Sequence, residues 1–232
     1  FIDARQDLSI QVHPDDRLAW MRHKSNGKTE MWYVVAADKG AHLKSGFSKQ
    51  LTPAEYERMV ADHTLTDALC DYPVTAGDLF FLPAGRVHAI CAGTFVAEIQ
   101  QTSDITYRIY DYGRTGADGK PRELHTELAK DAIDYTVLPD YRSHYAAAKN
   151  REVPLVSCPY FETSLYELDA PLSRDLAALD SFLIVVCLKG SGVLCDDEGD
   201  EVPLRRGETL LVPASTRNIP EIVEFTKQNS IL

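Results

Sequence analysis

Four side chains in the first ninety residues have the atoms and the spacing to bind a divalent metal. Gln11 and His13 are two residues apart on a predicted strand, 8–13, so both side chains project from the same face. Glu30 opens the next long predicted strand, and His88 follows a turn that contains Pro and Gly. One amide oxygen, two imidazoles and one carboxylate suit zinc, with a position left open for water or substrate. We therefore predict one Zn2+ per chain at Gln11, His13, Glu30 and His88.

Short predicted strands separated by Gly and Pro turns must position these ligands, and they are typical of a barrel or a sandwich. Further strands are predicted at 30–37, 78–83, 94–101, 105–110, 160–168, 182–189, 192–196, 208–213 and 222–227. A helix is predicted at 53–71, where Thr52 is placed to cap, Pro53 fits the first helical position, and Glu55 completes a capping box. A second short helix is predicted at 126–133, after a loop at 112–125.

An internal repeat divides the chain into two parts. Residues 77–88 read GDLFFLPAGRVH and residues 207–218 read GETLLVPASTRN, with Gly and Pro at the same spacing. In the second copy Ser215 replaces the second Gly and Asn218 replaces the His, and no histidine follows His144. We therefore predict a metal-binding module at 1–145, with the helical insertion at about 52–71, and a degenerate module at 146–232 without metal ligands.

Charge and composition limit the classes of partner. The chain has 24 Lys and Arg against 35 Asp and Glu, a net charge of -11, and this field repels nucleic acid and anionic membranes. We expect no nucleic-acid or membrane partner, and the sequence leaves the oligomeric state open. Five scattered cysteines suit buried thiols in a reducing cytoplasm. Because residue 1 is Phe and the sequence begins within a predicted strand, we also expect that an N-terminal part of the protein precedes it.

The motifs resemble those of a known family. The stretch GDLFFLPAGRVH resembles the second conserved cupin motif, and Gln11-x-His13 with Glu30 and Gly40 resembles the first, with Gln11 in place of the usual first His. Together with SIQVHPDD, GKTEMWYV, PAGRVHAI and SDITYRIYDYGR, in that order, they resemble type I mannose-6-phosphate isomerases of the short bacterial form. The resemblance extends over essentially the whole chain.

The resemblance implies a mainly β fold of two cupin-like jelly-roll barrels. It also implies the interconversion of mannose 6-phosphate and fructose 6-phosphate, an aldose–ketose isomerisation through an enediol. Gln11, His13, Glu30 and His88 match the zinc ligands of the family.

Catalytic roles follow from the same resemblance. Arg108 matches the catalytic arginine, and Lys28 lies at the family's position two residues before the ligand Glu. Arg108 supplies a fixed cation for developing negative charge or for phosphate, and Lys28, Glu98 and Asp104 are candidates to move or position protons. The remaining five histidines have no matching spacing, and we interpret them as structural or surface residues. The basic loop with Arg114, Lys120 and Arg122 is a candidate to contact phosphate, although a solvated loop is the preferred interpretation.

Two other functions fit parts of the pattern. An iron-dependent dioxygenase would use His13, Glu30 and His88 as a facial set of ligands. A non-catalytic sugar-binding cupin is the other, although such proteins often lose the metal ligands.

Overall fold

The computed structural model describes residues 1–116, 119–196, 198–223 and 229–232, with only the backbone described for 220–223 and 229–231. The chain divides into two compact units, Phe1–His144 and Tyr145–Leu232. Both units consist mainly of β-strands, as predicted. None of the described helices is long and apolar enough to cross a membrane.

The first unit contains two antiparallel five-stranded sheets. Its strands are β1 Ile2–Ala4, β2 Ile10–Val12, β3 Glu30–Ala37, β4 His42–Phe47, β5 Leu69–Pro73, β6 Leu79–Leu82, β7 His88–Ile90, β8 Thr94–Gln100, β9 Tyr107–Tyr110 and β10 Arg142–Ser143. Its helices are α1 Asp16–His23, α2 Pro53–Ala61 and α3 Thr126–Ala132, with a 3-10 turn at Leu65–Ala68. The first sheet has the order β1-β8-β3-β6-β10 and the second sheet has the order β5-β4-β7-β2-β9.

The two sheets share a buried core. Trp32 and Phe80 from the first sheet belong to the same hydrophobic cluster as Leu43 and Ile90 from the second sheet. Because side chains alternate along a strand, Glu30 lies on the same face as Trp32, and His88 lies on the same face as Ile90. Glu30 and His88, two of the predicted ligands, therefore point into the space between the sheets.

The opposite face of the second sheet is covered by α2, α3 and the 3-10 turn. Ile10 and Val12 of β2 and Tyr107 and Ile109 of β9 pack there with Tyr56 of α2. The residues between them in sequence must then project to the other face, into the space between the sheets. Because the helices cover one face of the second sheet, the polar side chains of β2, β7 and β9 lie at the alternate positions, which face the space between the sheets.

The start of α2 is confirmed, but the predicted helix at 53–71 is too long. Thr52 and Glu55 form the capping box, with Glu55 N donating to Thr52 Oγ1 at 3.2 Å and Thr52 N donating to Glu55 Oε2 at 2.8 Å. The helix ends at Ala61, and His63 adopts a left-handed φ of 57°. Residues from Leu69 onward instead form β5, because antiparallel pairing with β4 outweighs local helical preference.

Helix α1 was not predicted, since its sequence has no clear apolar face. Asp15 caps it by accepting a hydrogen bond from Leu18 N at 2.7 Å, and Lys24 ends it in the left-handed region with a φ of 55°. Strands β4 and β5 were also not predicted. The shorter predicted helix at 126–133 is confirmed as α3.

The second unit has nine strands in two further sheets. They are β11 Val153–Ser157, β12 Glu162–Leu168, β13 Leu172–Asp175, β14 Leu183–Lys189, β15 Ser191–Cys195, β16 Glu201–Arg205, β17 Thr209–Val212, β18 Asn218–Val223 and β19 Asn229–Ile231. The sheets have the orders β11-β12-β19-β14-β17 and β13-β18-β15-β16. Part of the predicted strand at 222–227 lies outside the described residues. In each unit the described strands form two separate sheets, so closure into barrels stays a prediction.

The sequence repeat is also a repeat of backbone hydrogen bonds. Gly77 N donates to Val34 O at 2.8 Å in the first unit, and Gly207 N donates to Cys187 O at 2.8 Å in the second unit. The turn after each strand is closed in the same way, by Arg86 N to Pro83 O and by Thr216 N to Pro213 O, both at 3.1 Å. The two copies therefore build the same local structure, with His88 and Asn218 each beginning the strand that follows.

Gly46 provides a test of packing behind β4. Its φ is 71°, and a Cβ there would lie 2.2 Å from the ring of Tyr141, which is 4% exposed. Gly40 has a similar φ of 87° with open space around it. We expect Gly46→Ala to lower the free energy of unfolding by about 1–3 kcal/mol more than Gly40→Ala, because only Gly46→Ala adds overpacking to the backbone cost. Urea unfolding of the two variants measures the difference, and equal losses would contradict the packing described.

Candidate metal centre

Three of the predicted ligands come together in a buried cluster. His13 follows β2, Glu30 begins β3 and His88 begins β7. His88 Nε2 lies 3.2 Å from Glu30 Oε1, and His13 Nε2 lies 3.5 Å from Glu30 Oε2. The exposed fractions of the three residues are 2%, 0% and 1% in chain order. The donor atoms lie within 4.8 Å of one another, so these residues are placed to hold a single metal ion.

The turn before His88 connects two of these residues. Gly85 N donates a hydrogen bond to the His13 carbonyl at 2.9 Å. Gly85 has a φ of 90°, and a Cβ there would meet the backbone of Ala132 and Asp134 at 3.1 Å. A left-handed glycine is therefore needed for the turn that brings His88 beside His13.

Both imidazoles are oriented by backbone carbonyl groups. His13 Nδ1 lies 2.8 Å from the Ile105 carbonyl, and His88 Nδ1 lies 2.8 Å from the Arg86 carbonyl. Because a carbonyl oxygen only accepts, each Nδ1 carries the hydrogen, and each Nε2 presents a lone pair to the cluster. This second layer of hydrogen bonds is the arrangement that fixes histidine ligands in metal sites.

Burial keeps the two imidazoles neutral. It lowers the pKa of His88 to about 4. It also holds the pKa of His13 well below its usual range, and His88 and Lys28 add to that effect. The pKa of Glu30 is raised by burial, although the Lys28 ammonium acts in the opposite direction. Neutral imidazoles retain the lone pairs that a metal needs.

The cluster leaves buried polar atoms unsatisfied. Among the described residues, His13 Nε2 and Glu30 Oε1 have no hydrogen-bond partner. The close approach of His88 Nε2 to Glu30 Oε1 sets a lone pair against a carboxylate oxygen, which is unfavourable in a buried site. A cation that both atoms bind removes this cost, so the donor set fits a metal ion.

Gln11 lies beside the cluster. It is paired with His88 across β2 and β7, and its Nε2 is 3.4 Å from His88 Nε2. Ser9 Oγ donates to Gln11 Oε1 at 3.4 Å. Rotation of the amide by 180° would exchange its nitrogen and oxygen, so Gln11 is placed to offer Oε1 as a further ligand.

Lys28 lies between a buried carboxylate and a partly buried one. Its Nζ is 3.0 Å from Glu30 Oε2 and 3.8 Å from Glu98 Oε1. Trp32 Nε1 donates to Glu98 Oε2 at 2.8 Å, and its ring stands edge-on to His88 with centroids 5.2 Å apart. Burial and the nearby Glu30 carboxylate raise the pKa of Glu98. Ion pairing thus places Lys28 at the edge of the buried cluster, beside the Glu98 carboxyl group.

Arg108 borders the same space from β9. It is paired with Gln11 in the β2–β9 register, which makes their side chains neighbours on one face. Its Nη1 donates to the Glu123 carbonyl at 3.0 Å, whereas its buried Nε has no partner among the described residues. Burial lowers the pKa of Arg108, and the neighbouring Arg122 lowers it further. A partly buried guanidinium whose Nε–H is buried and has no partner among the described residues is suited to an anion.

The basic loop is not simply solvated. Arg122 binds the Asp111 carboxylate with two nitrogens, at 2.7 and 2.5 Å, and Arg114 binds it at 2.5 Å. Asp111 is only 4% exposed, and the hydrogen bonds from Arg122 and Arg114 lower its pKa. Arg114 and Arg122 remain partly solvated, with side chains 27% and 41% exposed, and the buried carboxylate of Asp111 holds both of them.

Some polar groups at the site were not anticipated from the sequence. Ser45 is paired with His88 across β4 and β7, is 0% exposed, and its hydroxyl has no hydrogen-bond partner within the described part of the chain. His125 is hydrogen-bonded to the backbone of Arg108. The pairing of β4 would have revealed Ser45, but the sequence alone did not indicate that strand.

Comparison with known proteins identifies the family. The profile described as "Mannose-6-phosphate isomerase, cupin domain" matches residues 151–220. Mannose-6-phosphate isomerase ManA of Bacillus subtilis is 34% identical over 215 residues, covering 91% of this chain and 67% of the relative. Mannose-6-phosphate isomerase of Streptococcus mutans is 33% identical over 218 residues, covering 94% of this chain and 68% of the relative.

A solved structure agrees with these matches. The crystal structure of mannose 6-phosphate isomerase from Bacillus subtilis superposes with a TM-score of 0.86 at 30% identity, covering 99% of this chain and 72% of that chain. A phosphomannose isomerase from Salmonella typhimurium, at 16% identity and a TM-score of 0.74, shares the fold. The family expected from the motifs is thus confirmed, and the chain belongs to the mannose-6-phosphate isomerase family.

Proposed function

We propose that this protein interconverts mannose 6-phosphate and fructose 6-phosphate, with one Zn2+ held by Gln11, His13, Glu30 and His88. The observation that carries the proposal is the buried cluster of His13, Glu30 and His88, in which His13 Nε2 and Glu30 Oε1 have no hydrogen-bond partner among the described residues. Membership in the family supplies the substrate class.

Zinc fits this donor set better than the other common metals. The two imidazole nitrogens favour zinc over Mg2+ and Ca2+, a carboxylate oxygen is a common zinc ligand, and a site with these donors and an amide oxygen leaves room for an oxygen of the substrate. When bound, zinc would polarise the carbonyl and the neighbouring hydroxyl of the sugar. The unit Phe1–His144 carries this chemistry in the proposal, and the unit from Tyr145 onward carries none, because it contains no histidine.

The proposed reaction moves one proton between two carbons. The C2 proton of the aldose is removed, the C1 carbonyl oxygen is protonated, and the resulting enediol is then protonated at C1 while the C2 hydroxyl loses its proton. Lys28 and Glu98 stand at the edge of the cluster, 3.8 Å apart, and together offer a proton donor and an acceptor. Lys28 therefore has the proposed role of holding or moving a proton near the reacting carbons.

Arg108 has a separate proposed role. Its buried, unpartnered Nε is preorganised to donate to negative charge, either on the enediolate or on the phosphate. The net charge of -11 repels an anionic substrate at long range, so local cations must do the binding.

The metal assignment predicts the effect of losing one ligand. His88→Ala should reduce bound metal from about one per chain to a small fraction, because it removes a direct ligand from a buried site. His144→Ala is the control, since that side chain is 75% exposed, and Asn218→Ala tests the second copy of the repeat. Elemental analysis after dialysis measures all three. Full metal occupancy in His88→Ala, or a second metal lost in Asn218→Ala, would contradict the assignment.

The same preparation separates the isomerase from a dioxygenase. The three residues His13, Glu30 and His88 also match the facial set of ligands that binds iron in oxygenases. Isomerase activity that is lost on chelation and restored by zinc without oxygen supports the proposal. Binding of the sugar phosphate without turnover would instead favour a non-catalytic protein.

Arg108→Lys tests the role of the guanidinium. The change keeps the cation but removes the planar group of donors. If Arg108 stabilises the enediolate, turnover should fall about a hundredfold with zinc content unchanged, since one preorganised donor contributes about 3 kcal/mol. If it binds phosphate, KM should rise while kcat stays near normal. Arg174→Lys is a matched control on a strand of the second unit. Steady-state kinetics with no change in either constant would remove Arg108 from the active site.

A further inference from the structure

The backbone of Arg108 is held by a side chain. Strand β9 is at the edge of the second sheet, so the main-chain groups that Arg108 directs away from β2 have no neighbouring strand. His125 supplies both partners: its Nδ1 accepts from Arg108 N at 3.1 Å, and its own N–H donates to Arg108 O at 2.7 Å. The imidazole nitrogen occupies the place of a carbonyl oxygen in a strand pair.

His125 does not use its side chain for its own helix. It is the N-cap residue of α3, yet its imidazole makes no capping hydrogen bond there. N-cap positions favour Ser, Thr, Asp and Asn because their side chains satisfy the first free N–H groups. Instead of capping α3, the His125 Nδ1 atom accepts a hydrogen bond from the backbone N–H of Arg108.

The tautomer of His125 agrees with this role. Because Nδ1 accepts from a backbone N–H, the hydrogen must be on Nε2. That nitrogen lies 4.0 Å from Glu123 Oε2, and a carboxylate on this side favours the N–H form. The ring also packs against Tyr107, with centroids 6.2 Å apart.

The same segment holds the other end of Arg108. The Glu123 carbonyl accepts from Arg108 Nη1 at 3.0 Å, so 123–125 binds both the main chain and the guanidinium. Nε is left buried and without a partner in the described structure. Fixing the main chain and one terminal nitrogen sets the direction in which the Nε–H points.

We propose that His125 is a positioning residue for Arg108, in which the Nδ1 acceptor fixes the backbone of β9 and thereby directs the guanidinium toward the substrate anion. This inference rests on the proposed isomerase function. His125 has no contact with substrate in this scheme and acts through Arg108 alone.

Two variants at this position differ in the acceptor. His125→Leu removes it, and His125→Asn keeps an acceptor at nearly the position of Nδ1. We expect His125→Leu to lower kcat/KM about tenfold, and the change should be in kcat or in KM, whichever of the two Arg108→Lys alters. His125→Asn should recover most of the lost kcat/KM. In the Arg108→Lys background His125→Leu should have little further effect, because coupled residues are not additive.

Tyr56→Phe is the matched structural control. It removes the hydrogen bond from the Tyr56 hydroxyl to the Thr126 carbonyl, 3.3 Å long, at the start of the same helix. It should lower the thermal midpoint without changing kcat or KM. Kinetics of His125→Leu within twofold of wild type, or losses that add fully to those of Arg108→Lys, would overturn the proposal.

An activity-independent measurement separates this inference from the proposed function. Hydrogen exchange of the Arg108 amide should be slow in wild type and His125→Asn, and fast in His125→Leu. If wild type has no isomerase activity, the proposed function fails. If the Arg108 amide is equally protected from exchange in all three proteins, the positioning role is overturned. If His125→Leu does not fold, His125→Gln replaces it, because glutamine moves the acceptor one bond further from the main chain. Amide protection and kinetics like those of wild type in His125→Gln would also overturn the proposal.

Discussion

The structure of the first unit depends on a carboxylate that is fully removed from water. Glu30 is 0% exposed and faces the lone pairs of His13 and His88. Burying such a group without compensation is costly, and the ammonium of Lys28 at 3.0 Å balances only part of its charge. Two sheets, a left-handed glycine turn and two backbone carbonyl acceptors are needed to hold these mutually repelling groups in place. The rigidity of the fold is therefore the condition for the chemistry.

Alternation along the strands of the second sheet separates packing from function. Ile10, Val12, Tyr107 and Ile109 pack under the helices, and the residues between them face the space between the sheets. Each strand can thus contribute one polar side chain without interrupting the apolar layer that anchors it.

Much of this arrangement could be predicted from the sequence because it depends on local spacing. The i, i+2 placement of Gln11 and His13, the capping box at Thr52 and the repeated turn before His88 are all local patterns, and the structure contains each of them. The elements that escaped prediction depend on distant partners. Strand β5 exists because it pairs with β4, and α1 begins at an aspartate cap without an apolar face to announce it.

The polar contacts were harder to predict than the ligands. Ser45 is paired with His88 only through the β4–β7 register, and Arg114 and Arg122 bind the buried carboxylate of Asp111. His125 had no recognisable spacing, since its partner is a main-chain N–H group rather than another functional side chain. Sequence motifs identify groups with unusual chemistry, whereas the supporting contacts depend on how the strands are arranged.

The hydrogen bond from Gly85 N to the His13 carbonyl has a consequence for how the site is assembled. Two proposed ligands that are distant in the chain are connected through one backbone contact, which forms only when β2 and β7 are already side by side. An unfolded or partly folded chain therefore has no local pair of histidines with which to capture metal early, unlike a zinc finger. Closing the long intervening loop must come first. In the proposed site, metal loading would therefore follow folding and would report that the first unit has reached its native topology.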